Sequence, residues 1–268
     1  MASETVLITG ASSGIGRELA KCFAEEGCRL ILVARTRASL EALAAELRQS
    51  YQIEVRVLPA DLAQPETPIC LFANLEAEGL QVDVLVNNAG FGAQGPFAEL
   101  PLERQLEMIQ VNVTALTHLT HLFLPAMIER RRGGMINVAS TAAFQPGPLM
   151  AVYYATKAFV LSFSEALAEE LRGSGLTVTA LCPGPTHTNF AVAAGMQNSR
   201  LLRMKSMSAK AVAQIGHRAF RQGRYVSIAG LRNQLAAFSV RLAPRVLVRK
   251  IVHQINVPLP AQNGSKQS

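Results

Sequence analysis

Thr5-Val6-Leu7-Ile8-Thr9-Gly10-Ala11-Ser12-Ser13-Gly14-Ile15-Gly16 sets the architecture of this chain. Five strand-forming residues run into a turn carrying three glycines, and behind it Leu19, Ala20 and Phe23 recur at helical spacing. The order is strand, glycine turn, helix. Glycine lets a backbone pass close to a phosphate, and the amino end of a helix offers unpaired N–H groups and a favourable dipole to an anion. The spacing G-x-x-x-G-x-G is one residue longer than the common dinucleotide fingerprint. With its flanking strand and helix it predicts a dinucleotide site contacted by Gly10, Ser12, Ser13, Gly14, Ile15 and Gly16.

The units that follow repeat the alternation. Residues 29–34 read as a second strand ending at Arg35, where an acidic side chain would meet a ribose 2′-hydroxyl and an arginine suits a 2′-phosphate. Arg35, with Arg37 close by, argues for NADP over NAD; the alternative is a solvated arginine capping a strand. A helix over about 37–50, a strand over 54–58 closed by Pro59-Ala60-Asp61-Leu62, and a strand over 82–86 running into Asn87-Asn88-Ala89-Gly90 come next. Asp61 stands where a strand end would meet an adenine amino group, and Asn88, Ala89 and Gly90 suit either a strand end packed on a cofactor or an ordinary turn. Strands and helices at this interval predict a parallel sheet covered on both faces by right-handed crossovers, with ligands at the carboxyl ends of the strands.

Farther on, Tyr153 and Lys157 are four residues apart and share one face of a predicted helix. An ammonium beside a phenol favours the phenolate and draws its titration down from about 10, which would make Tyr153 an acid and base. Ser140 follows the apolar strand-like run 134–139, where its hydroxyl could polarise a carbonyl. The longest helix, from about 103 past 124, carries Asn112 between Val111 and Val113; a buried amide there must find partners or bear a cost of roughly 1–3 kcal/mol. It would hold a water or kink the helix. After a strand over 177–182, Pro183-Gly184 with Thr186 and Thr188 forms a turn able to grip the polar edge of a nicotinamide, while His187 reads as solvated. His118 and His121 lack a third ligand in register, so no metal site is expected. Residues 188–207 are apolar without period and read as a lid with an oily inner side, and a strand near 224–228 closes the sheet.

In order and spacing these motifs resemble the short-chain dehydrogenase/reductase family from Thr5 to about Ile228: the glycine turn, Asp61-Leu62, Asn87-Asn88-Ala89-Gly90, Asn112, Ser140, Tyr153 to Lys157 and Pro183-Gly184. The resemblance implies one Rossmann-type α/β domain over 1–230 with a doubly wound, seven-stranded parallel sheet. It implies reversible hydride transfer between NADP(H) and a carbonyl or alcohol. Tyr153 would protonate the carbonyl oxygen, Ser140 hydrogen-bond it, Lys157 lower the tyrosine pKa and bind the nicotinamide ribose, and Asn112 support a water-linked proton relay. Family members are usually dimers or tetramers built on the long helices after strands four and five. One departure is Ser13, where many NADP-preferring members carry a basic residue, so phosphate recognition rests on Arg35.

Composition narrows the rest. A chain of 268 residues, 49% hydrophobic, buries a core without staples, and four cysteines with no C-x-x-C pair suggest neither disulfides nor zinc. No signal-like leader and no apolar run of ~18 residues is read, so a soluble, cytoplasmic protein is expected. Residues 171–268 hold 14 Lys/Arg and no acid. Within them, 231–257 read as a basic amphipathic helical extension, with Pro244 opening a helix, and 258–268 as a disordered tail. The extension could dock on its own domain, complete the pocket, seat a partner or touch a membrane peripherally. Nucleic-acid binding is not expected, since the basic part has little aromatic interleaving. Phe91, Phe144, Phe190 and the methionines of the lid point to an apolar carbonyl substrate, 3-oxoacyl or similar. The alternative is a cofactor-binding sensor or scaffold with little turnover.

Overall fold

The computed structural model describes residues 3–188, 190–195 and 206–258. The central sheet is formed by β1 (Thr5–Thr9), β2 (Arg29–Ala34), β3 (Val55–Pro59), β4 (Val84–Asn87), β5 (Gly134–Val138), β6 (Thr177–Cys182) and β9 (Val226–Ile228). All seven are parallel, in the order β3-β2-β1-β4-β5-β6-β9. The expected doubly wound architecture is therefore the one observed. The chain starts in the middle at β1, winds out to β3 and returns to β4, so the winding reverses between β1 and β4 and opens a crevice at their carboxyl ends.

Strands buried on both sides need apolar residues at every position, which is why they read as continuous runs. In β1, Val6 and Ile8 face one layer while Leu7 faces the other. The first layer holds α1 (Gly14–Glu25), α2 (Arg37–Tyr51) and α8 (Ala209–Arg221), through Leu19, Phe23, Leu40, Leu47, Val212 and Phe220. The second holds α3 (Thr67–Ala77), α5 (Leu116–Arg130) and α6 (Ala151–Glu170), through Leu71, Leu119, Phe123, Met127 and Leu167. A short two-stranded sheet pairs β7 (Thr186–His187) with β8 (Met207–Ser208) beyond β6, next to α7 (Phe190–Ala193).

The long helix is continuous from α4 (Leu102–Ile109) through a π-helical turn at Gln110–Ala115 into α5. Asn112 lies within this π-helical turn. Leu102–Arg130 has the length and a mean hydropathy of 1.3 that would let it cross a bilayer, a run the sequence reading did not find. Its Met108, Val111, Ala115, Leu119, Phe123 and Met127 recur at three- and four-residue spacing and are buried in the domain, which is the stripe of a core helix.

A hydrogen-bonded amide network crosses this core. On adjacent strands in register, Asn87 Nδ2 donates to Asn137 Oδ1 at 3.0 Å and to Thr120 Oγ1 at 3.2 Å. Asn137 Nδ2 in turn donates to Ser164 Oγ at 2.9 Å. The network ties β4 and β5 to α5 and α6. Asn137→Ala strands a buried donor on Asn87 and an acceptor on Ser164, and is expected to lower stability by about 1–3 kcal/mol in urea denaturation. A loss below about 0.5 kcal/mol, typical of a surface change, would show that the network does not hold the strands.

Candidate active site

A cleft of about 1030 Å³ lies over the carboxyl ends of the strands and is lined by Gly10, Ser12, Ser13, Gly14 and Ile15 at the amino end of α1. Gly10 has φ +64°, a left-handed conformation that glycine adopts without strain. Gly16 lies behind the turn, where a Cβ would run into Asn88 Nδ2 and the Gly10 carbonyl. Asn88 is the strut of this turn: its Nδ2 donates to the carbonyls of Thr9 at 2.9 Å and Gly10 at 3.1 Å. Thr9 completes the brace, its Oγ1 accepting from the backbone N–H of Asn88 and of Ala89, each at 3.0 Å. Thr9 was not singled out in sequence. Its signal is a hydroxyl at the last strand position before the first glycine.

Arg35 is exposed on the cleft wall and makes no ion pair among the described residues, whereas Arg37 pairs with Glu41 at 3.6 Å and does not line the cleft. Asp61 and Leu62 line the same wall, with Asp61 Oδ1 accepting from Ala63 N at 3.1 Å. Asn88, Ala89 and Gly90 form the floor between β1 and β4. The glycine turn and the crevice position together fit a nicotinamide dinucleotide.

At the end of β5 the Ser140 hydroxyl accepts from Ala142 N at 3.1 Å and donates to Pro183 O at 3.5 Å, and it is near enough to the Tyr153 phenol to favour the phenolate. Tyr153 stands in the first turn of α6 with its ring 5.2 Å from that of Phe190. Lys157, one turn on, is 5% exposed and its Nζ donates to the Val138 carbonyl at 2.7 Å. Burial raises the Tyr153 phenol above its ordinary value, opposed by the Ser140 hydroxyl. Burial also lowers Lys157 from 10.5 to about 8. This corrects the expected effect of the ammonium on the phenol: with Nζ turned to Val138 and 6.0 Å from the centre of the Tyr153 ring, desolvation outweighs attraction.

Asn112 is brought close but does not line the cleft. Its Oδ1 accepts from Phe91 N at 3.1 Å, and its Nδ2 donates to Phe91 O and Thr156 Oγ1, both at 3.0 Å. The amide clamps the loop after β4 onto α6, one residue from Lys157.

Pro183, Gly184, Thr186 and Thr188 line the cleft beside Ser140, with the Pro183 carbonyl accepting from Thr141 N at 2.8 Å. Both hydroxyls have local partners: Thr186 donates to Gly184 O at 2.8 Å, and Thr188 accepts from Phe190 N at 3.2 Å. His187 also lines the cleft and shares a 2.6 Å hydrogen bond with Ser206. Of the anticipated lid, residues 189 and 196–205 lie outside the described residues.

The remaining wall comes from the carboxyl-terminal helices α9 (Leu231–Leu242) and α10 (Arg245–Asn256), through Asn233, Val240, Ala243, Val248, Val252 and Ile255. Val248 and Val252 are buried against Met150 and Tyr154. Asn256 anchors the helix end, donating to Pro148 O at 2.9 Å and accepting at its carbonyl from Gln94 Nε2 at 2.5 Å. Among the alternatives left open for this extension, it docks on its own domain and completes the pocket.

A family model for short chain dehydrogenases matches residues 4–199. The chain belongs to the short-chain dehydrogenase/reductase family. Among family members, the very-long-chain 3-oxoacyl-CoA reductase of Anas platyrhynchos is 36% identical over 66% of this chain and 58% of that protein. The protein of the same name from Phaeosphaeria nodorum is 40% identical over 64% of this chain and 52% of its own length. The chain thus spans between about half and three-fifths of the curated relatives it matches. A short-chain dehydrogenase from Sphingobium yanoikuyae in complex with NADPH superposes with a TM-score of 0.80 at 35% identity, covering 89% of this chain and 93% of that one. The bulky-bulky ketone specific alcohol dehydrogenase from Comamonas testosteroni gives 0.76 at 30% identity, covering 90% and 94%.

Lys157 makes a signed prediction about stability. Between about 8 and 10.5 the unfolded chain binds a proton here that the folded chain does not, so this group's contribution to stability rises with pH across that window. The stability difference between wild type and Lys157→Met, from denaturant midpoints, should therefore move in favour of wild type as pH climbs from 8 to 10.5. A pH-independent difference would show that the ammonium is not held at a depressed pKa.

Proposed function

We propose that this protein is an NADP(H)-dependent oxidoreductase that reversibly reduces the carbonyl of an apolar ketone, aldehyde or 3-oxoacyl-type substrate, with Tyr153 as acid and base. The observation that carries the reading is that Ser140, Tyr153 and Lys157 come together on one cleft, between a glycine turn and an apolar chamber. The names of the relatives, 3-oxoacyl-CoA reductases, and the NADPH held by a structural neighbour support it.

A bound nicotinamide cofactor supplies the hydride. The turn residues Gly10 and Ser12 to Ile15 receive its phosphates, Arg35 its 2′-phosphate, Asp61 and Leu62 its adenine, and Asn88, Ala89 and Gly90 the crevice edge. Lys157 takes the ribose, and Pro183, Gly184, Thr186 and Thr188 the nicotinamide side. Ser140 and Tyr153 both donate to the substrate oxygen, where charge builds up during reduction. Donors fixed in place before reaction, in a site that excludes water, stabilise that charge strongly. Because burial raises the phenol, Tyr153 holds its proton through neutral pH and stands loaded as the acid. Once it has given up that proton, the phenolate is stabilised by the Lys157 ammonium one helical turn away. Asn112 is a positioning residue, since its amide holds the Phe91 loop and the turn of α6 that carries Lys157.

Apolar side chains on the outer face of the long helix, Leu102, Leu106 and Ile109, with Ile128 and Phe159, are exposed in the single chain. We read them as the seam of a homodimer or homotetramer. The protein is read as cytoplasmic or peripherally membrane-bound, the helix long and apolar enough to span a bilayer having its buried stripe in the core.

NADPH oxidation against aliphatic, aromatic, steroid and 3-oxoacyl carbonyls tests the proposal. Turnover is expected with apolar substrates and should fall by at least about 10²-fold in Tyr153→Phe. Tight NADPH binding with no turnover across the panel would favour a sensor instead. Preference for NADPH over NADH by kcat/KM should be at least about tenfold, or ~1.4 kcal/mol, and should vanish in Arg35→Asp; an unchanged ratio in that variant would sink the 2′-phosphate assignment.

The pH profile supplies a separate check. Reduction should hold steady below pH about 8 and decline above it, as Lys157 loses the charge that stabilises the phenolate. A reductive kcat/KM that rises through this region would contradict the role given to Lys157.

A further inference from the structure

The exposed side of α9 is not that of an ordinary surface helix. Leu231, Leu235, Phe238 and Leu242 fall at i, i+4, i+7 and i+11, a single line of side chains along a helix. They are 70%, 61%, 60% and 75% exposed. The opposite side, with Asn233, Ala237 and Val240, seats the helix over the cleft. Arg232 and Arg241 project to the two flanks of the line, each about 90° from it at 100° per residue.

α10 extends the surface with Val246, Leu247 and Ile251, 54%, 50% and 47% exposed, among Arg245, Arg249 and Lys250. None of these five cations forms an ion pair among the described residues, and residues 171–268 contain no Asp or Glu to offer one. An apolar line bordered by unpaired cations is complementary to a surface that is anionic outside and apolar beneath. A second copy of the chain fits less well, because a two-fold contact through this line would set arginine against arginine.

The same elements wall the cleft. Ile251 is at once on the exposed surface and on the cleft lining, beside Ile255, Ala236, Ser239 and Val240. We propose that α9 and the adjoining side of α10 lie in the plane of an anionic phospholipid bilayer, and that the cleft takes its apolar carbonyl substrate from that bilayer. The second half rests on the reductase reading; the docking does not.

The test uses the full chain and phospholipid vesicles at low salt. Co-sedimentation is expected with vesicles of phosphatidylcholine containing about one-third phosphatidylglycerol, and should weaken at least about tenfold on pure phosphatidylcholine or in high salt. The double variant Leu235→Glu/Phe238→Glu alters two exposed residues that do not line the cleft. It should lose at least about tenfold in vesicle affinity while keeping its thermal melt and its turnover of a water-soluble ketone. Its turnover of a long-chain ketone dissolved in vesicles should fall.

Wild type that stays in the supernatant with anionic vesicles overturns the docking, as does a variant that binds like wild type. So does a variant that dissociates an oligomer in analytical ultracentrifugation when neither protein binds vesicles, which would make the line a seam between copies. Equal turnover of the vesicle-borne ketone by variant and wild type overturns delivery from the bilayer. Vesicle binding without turnover of any carbonyl leaves the docking standing and removes the reductase reading, so the two failures are separable.

Discussion

The buried ammonium of Lys157 is the constraint on which the site depends. An unpaired charge inside a protein is costly, and this one is met by a single backbone carbonyl, that of Val138 at the end of β5. The bond fixes α6 against the strand end that carries Ser140 two residues later, which in turn fixes where Tyr153 can stand. The same burial that lowers the lysine raises the tyrosine, so two pKa values that are ordinarily close together move apart. A proton donor that keeps its proton in the resting protein, beside a cation that can drop its own near neutrality, is a poised pair rather than a pre-ionised one.

The loops around this pair are held by side-chain amides. A parallel sheet buried on both faces leaves polar chemistry only at the strand ends, where backbone groups no longer have ladder partners. Asn88 supplies them for the glycine turn and Asn112 for the loop after β4. Asn88 donates to two backbone carbonyls, while Asn112 both accepts from and donates to the backbone of Phe91 and also reaches the Thr156 hydroxyl. The π-helical turn at Gln110–Ala115 follows from the same demand, since it lets the long helix reach the Phe91 loop and continue.

Much of this was legible in order along the chain. The strand–turn–helix at residues 5–16, the repeated apolar strands and the four-residue spacing of Tyr153 and Lys157 are local patterns, and the sheet, its winding and the gathering of Ser140, Tyr153 and Lys157 follow from them. What was not legible depends on contacts distant in sequence. The direction of the Tyr153 shift depends on where Lys157 Nζ points, which Val138 decides. That Asn88 is a strut needs the glycine turn folded against it, 79 residues away in sequence from Thr9. Arg37, read in sequence only as a second cation close to Arg35, is paired with Glu41 one helical turn on.

The carboxyl-terminal helices carry the same lesson into function. From sequence, the apolar residues and cations after Pro244 suggest an amphipathic helix with one apolar face to place. In the fold, α10 has already placed Val248 and Val252 on Met150 and Tyr154, with Asn256 fastening its end. That anchoring closes the pocket and holds α9 across its rim. A helix held there by Ala237 and its neighbours must present its other side outward, and that side is Leu231, Leu235, Phe238 and Leu242. The exposed apolar line is thus a geometric consequence of completing the cleft with these two helices, and the surplus of unpaired cations beside it determines the sign of the surface it can meet.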